Sequence, residues 1–266
     1  MNTKQDLLAL LDLSGQTAVV TGGALGIGRS VALRLAQAGA AVVVADANGE
    51  AAEAVAHELT DLGATAHAVV VDVSSETDVE RLLEQTLGWT AGIDILVNDA
   101  GIYPTVPVMD MTVEQFSRVI DVNLKGVYLC SRMVARHLVD QGRGGRILNI
   151  TSVDALHPSS VGLAHYDASK HGVWGFTKNL ALELAPHRIW VNALAPGGVH
   201  TPGTDHMPTV PGVDPEELKA RFAARIPMGR MGEPDEIAKV ALFMVSEMAS
   251  YMTGSQVVVD GGVLLA

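Results

Sequence analysis

The chain has 266 residues, 48% of them apolar and only 4% aromatic, with 27 glycines, one cysteine (Cys130) and a formal net charge of -12. A length near the roughly 200 to 250 residues of large one-domain α/β sheets, rich in Val, Ala, Leu and Gly, suits parallel strands buried on both faces. The charge argues against general binding to nucleic acid or anionic membrane, the lone cysteine excludes an intrachain disulfide, and no stretch reaches the roughly 18 apolar residues of a membrane span.

In chain order, residues 1–15 read as an N-terminal extension whose Leu7, Leu8, Leu10 and Leu11 form either an amphipathic helix on the body or a frayed end. The long apolar segment and small-residue cleavage site of a signal peptide are lacking, so a cytoplasmic protein is expected. Residues 16–266 are expected to form a single domain. Short β-branched runs predict seven strands: Thr17–Val20, Ala41–Ala45, His67–Val71, Ile93–Val97, Arg146–Ile150, Trp190–Leu194 and Gln256–Val259. Helical patterns fall between them at Ile27–Ala38, Glu50–Leu62, Glu76–Leu87, Val113–Asp140, Tyr166–Leu184 and Pro234–Ser246. Thr112 followed three residues later by Gln115 marks a capping box at the fourth helix. Strict alternation gives a Rossmann-type, doubly wound, seven-stranded parallel sheet with helices on both faces. The Pro-rich stretch 196–227 breaks the rhythm and predicts a substrate lid carrying a short helix near Glu216–Ala224.

Three groups of residues carry chemistry. The first strand runs into Thr21, Gly22, Gly23, Ala24, Leu25, Gly26, Ile27 and Gly28 before a helix. Such a turn brings backbone amides and a positive helix end to a pyrophosphate, although a tight turn needs glycine in any case. Asp46 ends the next strand, where an acidic residue can grip the adenosine ribose hydroxyls or simply begin the turn into Asn48 and Gly49. Tyr166 and Lys170, at i and i+4, share one helix face, and an ammonium beside a phenol lowers the phenol's pKa toward working pH. Ser152 follows the fifth strand, at the rim where such sheets bind ligands.

Together these residues resemble the classical short-chain dehydrogenase/reductase family, from Gln16 to Gly262. The resemblance matches the glycine turn at Thr21, Gly22, Gly26 and Gly28, with Leu25 and Ile27 between, and implies an adenine contact at Asp72 and Val73. The family's Asn-Asn-Ala-Gly corresponds to Asn98, Asp99, Ala100 and Gly101, departing from it at Asp99. A catalytic tetrad is implied at Asn123, Ser152, Tyr166 and Lys170. In it Tyr166 exchanges the proton, Ser152 holds the reacting oxygen, Lys170 binds the nicotinamide ribose, and Asn123 holds a water. Pro196, Gly197, Val199 and Thr201 would lie beside the nicotinamide carboxamide, and Val258 to Gly262 match the closing strand and turn. NADP-using members carry Arg or Lys before the middle glycine or after the second strand; this chain has Leu25 and Ala47, so NAD is expected, with Arg29 the one cation that could reverse the preference. Pairing through the fourth and fifth helical segments implies a homotetramer.

Asp154, His157, His165, His200, Asp205 and His206 give the expected pocket a polar lining, with Asp154, His157, His200 and His206 the candidates for substrate contact. The histidine spacings carry no metal signature. That lining favours NAD-linked oxidation of a sugar, polyol or other small secondary alcohol. The alternatives are a 3-oxoacyl-[acyl-carrier-protein] reductase and a non-enzymatic NAD(H) sensor. An acidic carrier would need a basic patch such as Arg132 and Arg136.

Overall fold

The computed structural model describes residues 7–158, 160–205, 221 and 223–266, with Thr204 and Asp205 described by backbone alone. Seven strands, β1 (Thr17–Thr21), β2 (Ala41–Asp46), β3 (Ala66–Val70), β4 (Ile95–Asn98), β5 (Gly145–Ile150), β6 (Ile189–Pro196) and β7 (Gln256–Val259), form one sheet in the order β3-β2-β1-β4-β5-β6-β7. Every pairing is parallel. The helices are α1 (Gly26–Gln37), α2 (Gly49–Asp61), α3 (Glu76–Trp89), α4 (Val113–Ile120), α5 (Gly126–Gln141), α6 (Ala164–Leu184) and α7 (Pro234–Val245). This is the expected doubly wound sheet, and its strand order reverses between β1 and β4, which opens a crevice at the carboxyl edge.

Alternation along the strands builds a core on each face. Val20, Val42, Val44 and Val97 pack with Val31, Leu35, Leu59 and Ile237 on the α1–α2–α7 side. Their neighbours Val19, Val43 and Leu96 pack with Val79, Leu82, Leu129 and Leu138 on the α3–α5–α6 side. A strand buried on both sides has no polar face to spare, which is why the runs read as continuous Val and Ile.

Three expectations are corrected. The predicted helix Val113–Asp140 is interrupted by a π-helical turn, Asp121–Lys125, between α4 and α5; its start at the Thr112 capping box is as expected. A π turn inserts an extra residue per turn and is found mostly at functional sites, and here it carries Asn123. The extension is anchored earlier than position 16: Leu13 is buried in the α1-side core and its amide donates to the Ala38 carbonyl at 2.7 Å, while Leu7 and Leu8 stay exposed in a short 3-10 turn. Strand β6 runs on to Pro196, so its last residue, expected to open the lid, belongs to the sheet. The helix expected near Glu216–Ala224 lies largely outside the described residues.

Candidate active site

The glycine turn sits where β1, β2 and β4 end. Helices α2, α3 and α4 begin with a capping side chain from Asn48, Ser75 and Thr112, whereas Leu25 at the start of α1 supplies none. The Gly28 amide donates to the Asp99 carboxylate, and the amides of Gly26 and Ile27 ahead of it form a helix end whose charge and geometry match a dinucleotide pyrophosphate. The turn is closely constrained. A Cβ on Gly28 would lie 2.1 Å from the Gly22 carbonyl oxygen, and one on Gly22 would lie 2.7 Å from the Ala100 nitrogen. Gly26 has φ +55 and faces Thr201, whose Cβ would be 3.3 Å from an added Cβ, so the segment after β6 borders the turn.

Asp46 is held by main-chain donors on both sides of the strand end. One carboxylate oxygen accepts from the Ala24 amide at 3.1 Å and the other from the Asn48 amide at 2.9 Å. Its head is thereby fixed beside the turn, with lone pairs left over for ribose hydroxyls. Arg29 is engaged elsewhere, in a fork with Glu58 on α2 at 2.6 Å, and Leu25 is exposed. Asp72 accepts from the amide and hydroxyl of Ser74 at 2.9 and 2.7 Å, and Val73 is buried against Gly126.

The predicted catalytic residues converge beyond β5. Ser152 follows that strand, and its hydroxyl donates to Asp154 at 2.9 Å while accepting from the Asp154 amide at 3.1 Å. The Tyr166 phenol is within hydrogen-bond reach of Ser152, a contact that by itself favours the phenolate. Lys170 is buried, donates to the Ile150 carbonyl at 2.8 Å and holds its ammonium 5.6 Å from the centre of the Tyr166 ring. The ammonium also faces Gly101, 3.7 Å from where a Cβ would be. Asn123 is fully buried; its amide oxygen accepts from Ile102 N at 2.8 Å, and its nitrogen donates to the Ile102 carbonyl and the Ser169 hydroxyl. It clamps the chain after β4 onto α6 one residue from Lys170.

The electrostatics correct one expectation. Burial pushes the Tyr166 phenol up from its ordinary value, and Asp154, Tyr103 and Asp99 add to the rise against the opposing Ser152 contact. Lys170, expected to lower the phenol, does not reverse that balance; burial itself pushes the lysine down to about 8, against the attraction of Asp99 and Asp154. Tyr166 is therefore protonated at neutral pH, an acid poised to give a proton to a carbonyl oxygen.

Several predicted residues have side chains engaged with protein partners of their own or turned to the surface. Asn98 turns inward, its amide donating to Ser131 and Asn149, so it ties β4 to β5 and α5 rather than presenting a side chain to a cofactor. Pro196 and Gly197 close on the β7 turn, where a Gly197 Cβ would lie 2.7 Å from the Asp260 Cα. Val199 is buried and bridges to Gly232. His157 and His200 are exposed, the first with its ring on the Pro158 carbonyl at 3.0 Å, and His165 is buried with neither ring nitrogen paired. Of the candidate substrate residues Asp154 alone is tied to the catalytic serine; His206 and the Asp205 side chain lie outside the described residues. Two neighbours were not foreseen. Tyr103 stands edge-on to Tyr166 at 5.8 Å and reaches the lid at Gly203, an aromatic just past the β4 turn that could have been read as rim-lining. The Asp99 carboxylate lies beneath Gly28, 2.8 Å from where a Cβ would be, and its departure from Asn was the signal. No described helix is long and apolar enough to cross a membrane.

Comparison with known proteins agrees with this geometry. A family profile described as Enoyl-(Acyl carrier protein) reductase matches residues 22–264. The 3-oxoacyl-[acyl-carrier-protein] reductase of Aquifex aeolicus is 41% identical over 95% of this chain and 98% of its own. The crystal structure of a 3-ketoacyl-(acyl-carrier-protein) reductase from Brucella melitensis, complexed with NADH, superposes with TM-score 0.86 at 39% identity, covering 95% of this chain and 99% of that one. A gluconate 5-dehydrogenase from Burkholderia cenocepacia, in complex with NADP and tartrate, superposes with TM-score 0.90 at 34% identity, covering 98% of this chain and 100% of that one. The profile match, the identity and the superposition each extend over nearly the whole chain, and the chain belongs to the short-chain dehydrogenase/reductase family of nicotinamide-dependent oxidoreductases.

Proposed function

We propose that the chain is an NAD(H)-dependent reductase of the 3-oxo group of an acyl chain carried on acyl carrier protein. The observation that carries the reaction is the placement of Tyr166 beside Ser152 and Lys170 at the carboxyl edge of β5. The relatives' activity supports this substrate over the sugar or polyol that the polar lining suggests. The bound nicotinamide supplies the hydride that reaches C3. Tyr166 gives its phenolic proton to the substrate oxygen, converting C=O to CH–OH, and Ser152 orients that oxygen. Lys170, held by the Ile150 carbonyl, faces Gly101 where the nicotinamide ribose would lie, and Asn123 keeps that wall in place. A full catalytic set makes a non-enzymatic sensor the poorest of the three readings.

NAD preference rests on Asp46, fixed at the turn, while Arg29, the nearby cation that could reverse it, is taken by Glu58. A phosphate on the ribose would repel that carboxylate by about 4 kcal/mol at 4 Å and an effective dielectric near 20. Within the proposed single catalytic domain, the segment 196–227 acts as a lid whose base, Thr201, borders the glycine turn. Assembly as a homotetramer would cover the exposed Tyr128 and Leu182 on α5 and α6, and light scattering that finds a stable monomer at micromolar concentration rejects it.

One observation favours the second reading. Asp154, buried beside Ser152, places a carboxylate where a hydroxyl-bearing substrate would find an acceptor and an acyl chain would not. Steady-state kinetics with 3-oxoacyl thioesters and, in the oxidative direction, with sugars, polyols and diols decides between them. A higher kcat/KM for the thioesters is expected; faster turnover of polyols overturns the first reading in favour of the second.

A further inference from the structure

Asp99 is the one position at which the turn after β4 departs from the family pattern, and the structure places it at the centre of the cofactor cleft. Its backbone is pressed against the glycine turn: a Cβ on Gly22 would lie 3.1 Å from the Asp99 carbonyl carbon. Its side chain reaches under α1, where the Gly28 amide points at the carboxylate. The amides of this first turn are those a pyrophosphate would use, so a carboxylate and a dianionic ligand share one helix end. An asparagine there would add no charge.

We propose that Asp99 couples dinucleotide binding to proton uptake, its carboxyl being ionised in the open cleft above neutral pH and protonated once a pyrophosphate sits over the glycine turn. Four groups face it. Lys170 from α6 attracts its anion, the Gly28 amide of α1 donates to it, Asp46 at the end of β2 repels it, and Tyr166 of α6, kept protonated by burial and by Asp99 itself, adds no charge. Burial outweighs the attraction, so the carboxyl already stands at about 7, within reach of a neighbouring ligand charge. A pyrophosphate raises it further, because like charges near one another cannot both remain ionised without cost.

The sign follows from linkage. When the liganded state binds the extra proton, affinity is full below the free-state value and falls as pH rises through it. The dissociation constant for NADH should rise about tenfold between pH 6 and pH 8. Titration calorimetry of the whole protein with NADH, in buffers of different ionisation enthalpy, reads the proton directly and needs no turnover. Uptake approaching one proton near pH 8 is expected, and Asp99→Asn should lose that uptake and bind NADH more tightly at pH 8. Lys170 could also take up a proton on binding, but it is retained in Asp99→Asn, so equal uptake in the variant assigns the proton to Lys170 and overturns the proposal. A wild-type protein that binds NADH with no proton uptake overturns it without any variant, should Asp99→Asn fold poorly. The inference rests on the cofactor reading alone: failure to bind either NADH or NADPH would reject that reading, whereas binding without uptake rejects only the role of Asp99.

Discussion

The carboxyl edge of the sheet holds two regions built on different physical terms. At β1, β2 and β4 the site is backbone: glycines whose missing Cβ atoms let Gly22, Gly28 and Ala100 touch, amides left uncapped at α1, and one carboxylate, Asp46, tied down by two main-chain donors. Past β5 and β6 the site is side chain: Ser152 on Asp154, Tyr103 edge-on to Tyr166, Lys170 on the Ile150 carbonyl. Main-chain geometry tolerates almost no replacement, while side chains can be exchanged without moving the frame. That difference explains how relatives named for acyl-carrier reduction and for gluconate oxidation share more than a third of their sequence with this chain or close to it.

The largest effect should separate chemistry from binding. Tyr166→Phe removes the transferable proton and leaves the glycine turn untouched, so turnover should fall about 10² to 10⁴-fold with NADH affinity, read by fluorescence titration, within about twofold of wild type. A variant retaining normal turnover would remove Tyr166 from the mechanism. Because burial holds the phenol protonated and Lys170 stands at about 8, the reductive rate should be sustained at neutral pH. Alcohol oxidation, which needs the phenolate, should rise as pH increases. The observed ionisation belongs to the coupled pair rather than to either residue.

Gly28→Ala tests the other region. The added methyl would meet the Gly22 carbonyl oxygen at 2.1 Å and the Asp99 carboxylate at 2.8 Å, both fixed. Overpacking of this kind costs about 1–3 kcal/mol or more, and the variant should show a lowered thermal midpoint together with lost NADH binding. Wild-type stability and affinity would mean that the turn is looser than its contacts indicate. Asp46→Ala is gentler. It should preserve the fold and narrow the NAD over NADP preference by up to about a hundredfold, or roughly 2.7 kcal/mol, measured as the ratio of kcat/KM values. If the unmodified enzyme already prefers NADP, Asp46 has no such role.

How much could be read from the chain tracks the same division. Val19 and Val20, or Val43 and Val44, declare a strand buried on both faces, and Leu25 between glycines before a helix declares an uncapped helix end. Local pattern also located Thr112, Ser152, Tyr166 and Lys170. What escaped depends on distant neighbours. Asn98 and Asn123 look alike in sequence, yet their roles come from partners in other elements: Ser131 and Asn149 for the first, Ile102 and Ser169 for the second. The π turn at Asp121–Lys125 has no distinguishing composition, so periodicity extended one helix across it. The sign at Tyr166 was missed because a charge four residues away is visible in sequence and burial is not. His157 after β5 and His200 after β6 read as pocket lining from their polarity alone; both side chains are exposed.

The smallest effect comes from the same substitution as in the turn, made on the other side of the cleft. In Gly203→Ala the added methyl would fall 1.7 Å from the Tyr103 hydroxyl, an even closer approach than at Gly28. Here, however, the obstacle is the hydroxyl at the far end of a half-buried side chain, at an exposed backbone position. A side-chain tip can yield where the Gly22 carbonyl cannot, so the thermal midpoint should barely move, the change staying within about 0.5 kcal/mol as for surface substitutions. What is lost is the edge-on contact of Tyr103 with Tyr166 at 5.8 Å. Such ring pairs contribute about 0.5–1.5 kcal/mol, which predicts a KM for the carbonyl substrate raised about two- to tenfold with kcat and NADH affinity nearly unchanged. Tyr103→Ala should give the same KM and, combined with Gly203→Ala, add nothing further, since both remove one contact. Additive effects of the two substitutions would show that Tyr103 and Gly203 act on the substrate separately, and a large loss of stability in Gly203→Ala would show that this side of the cleft is as rigid as the turn.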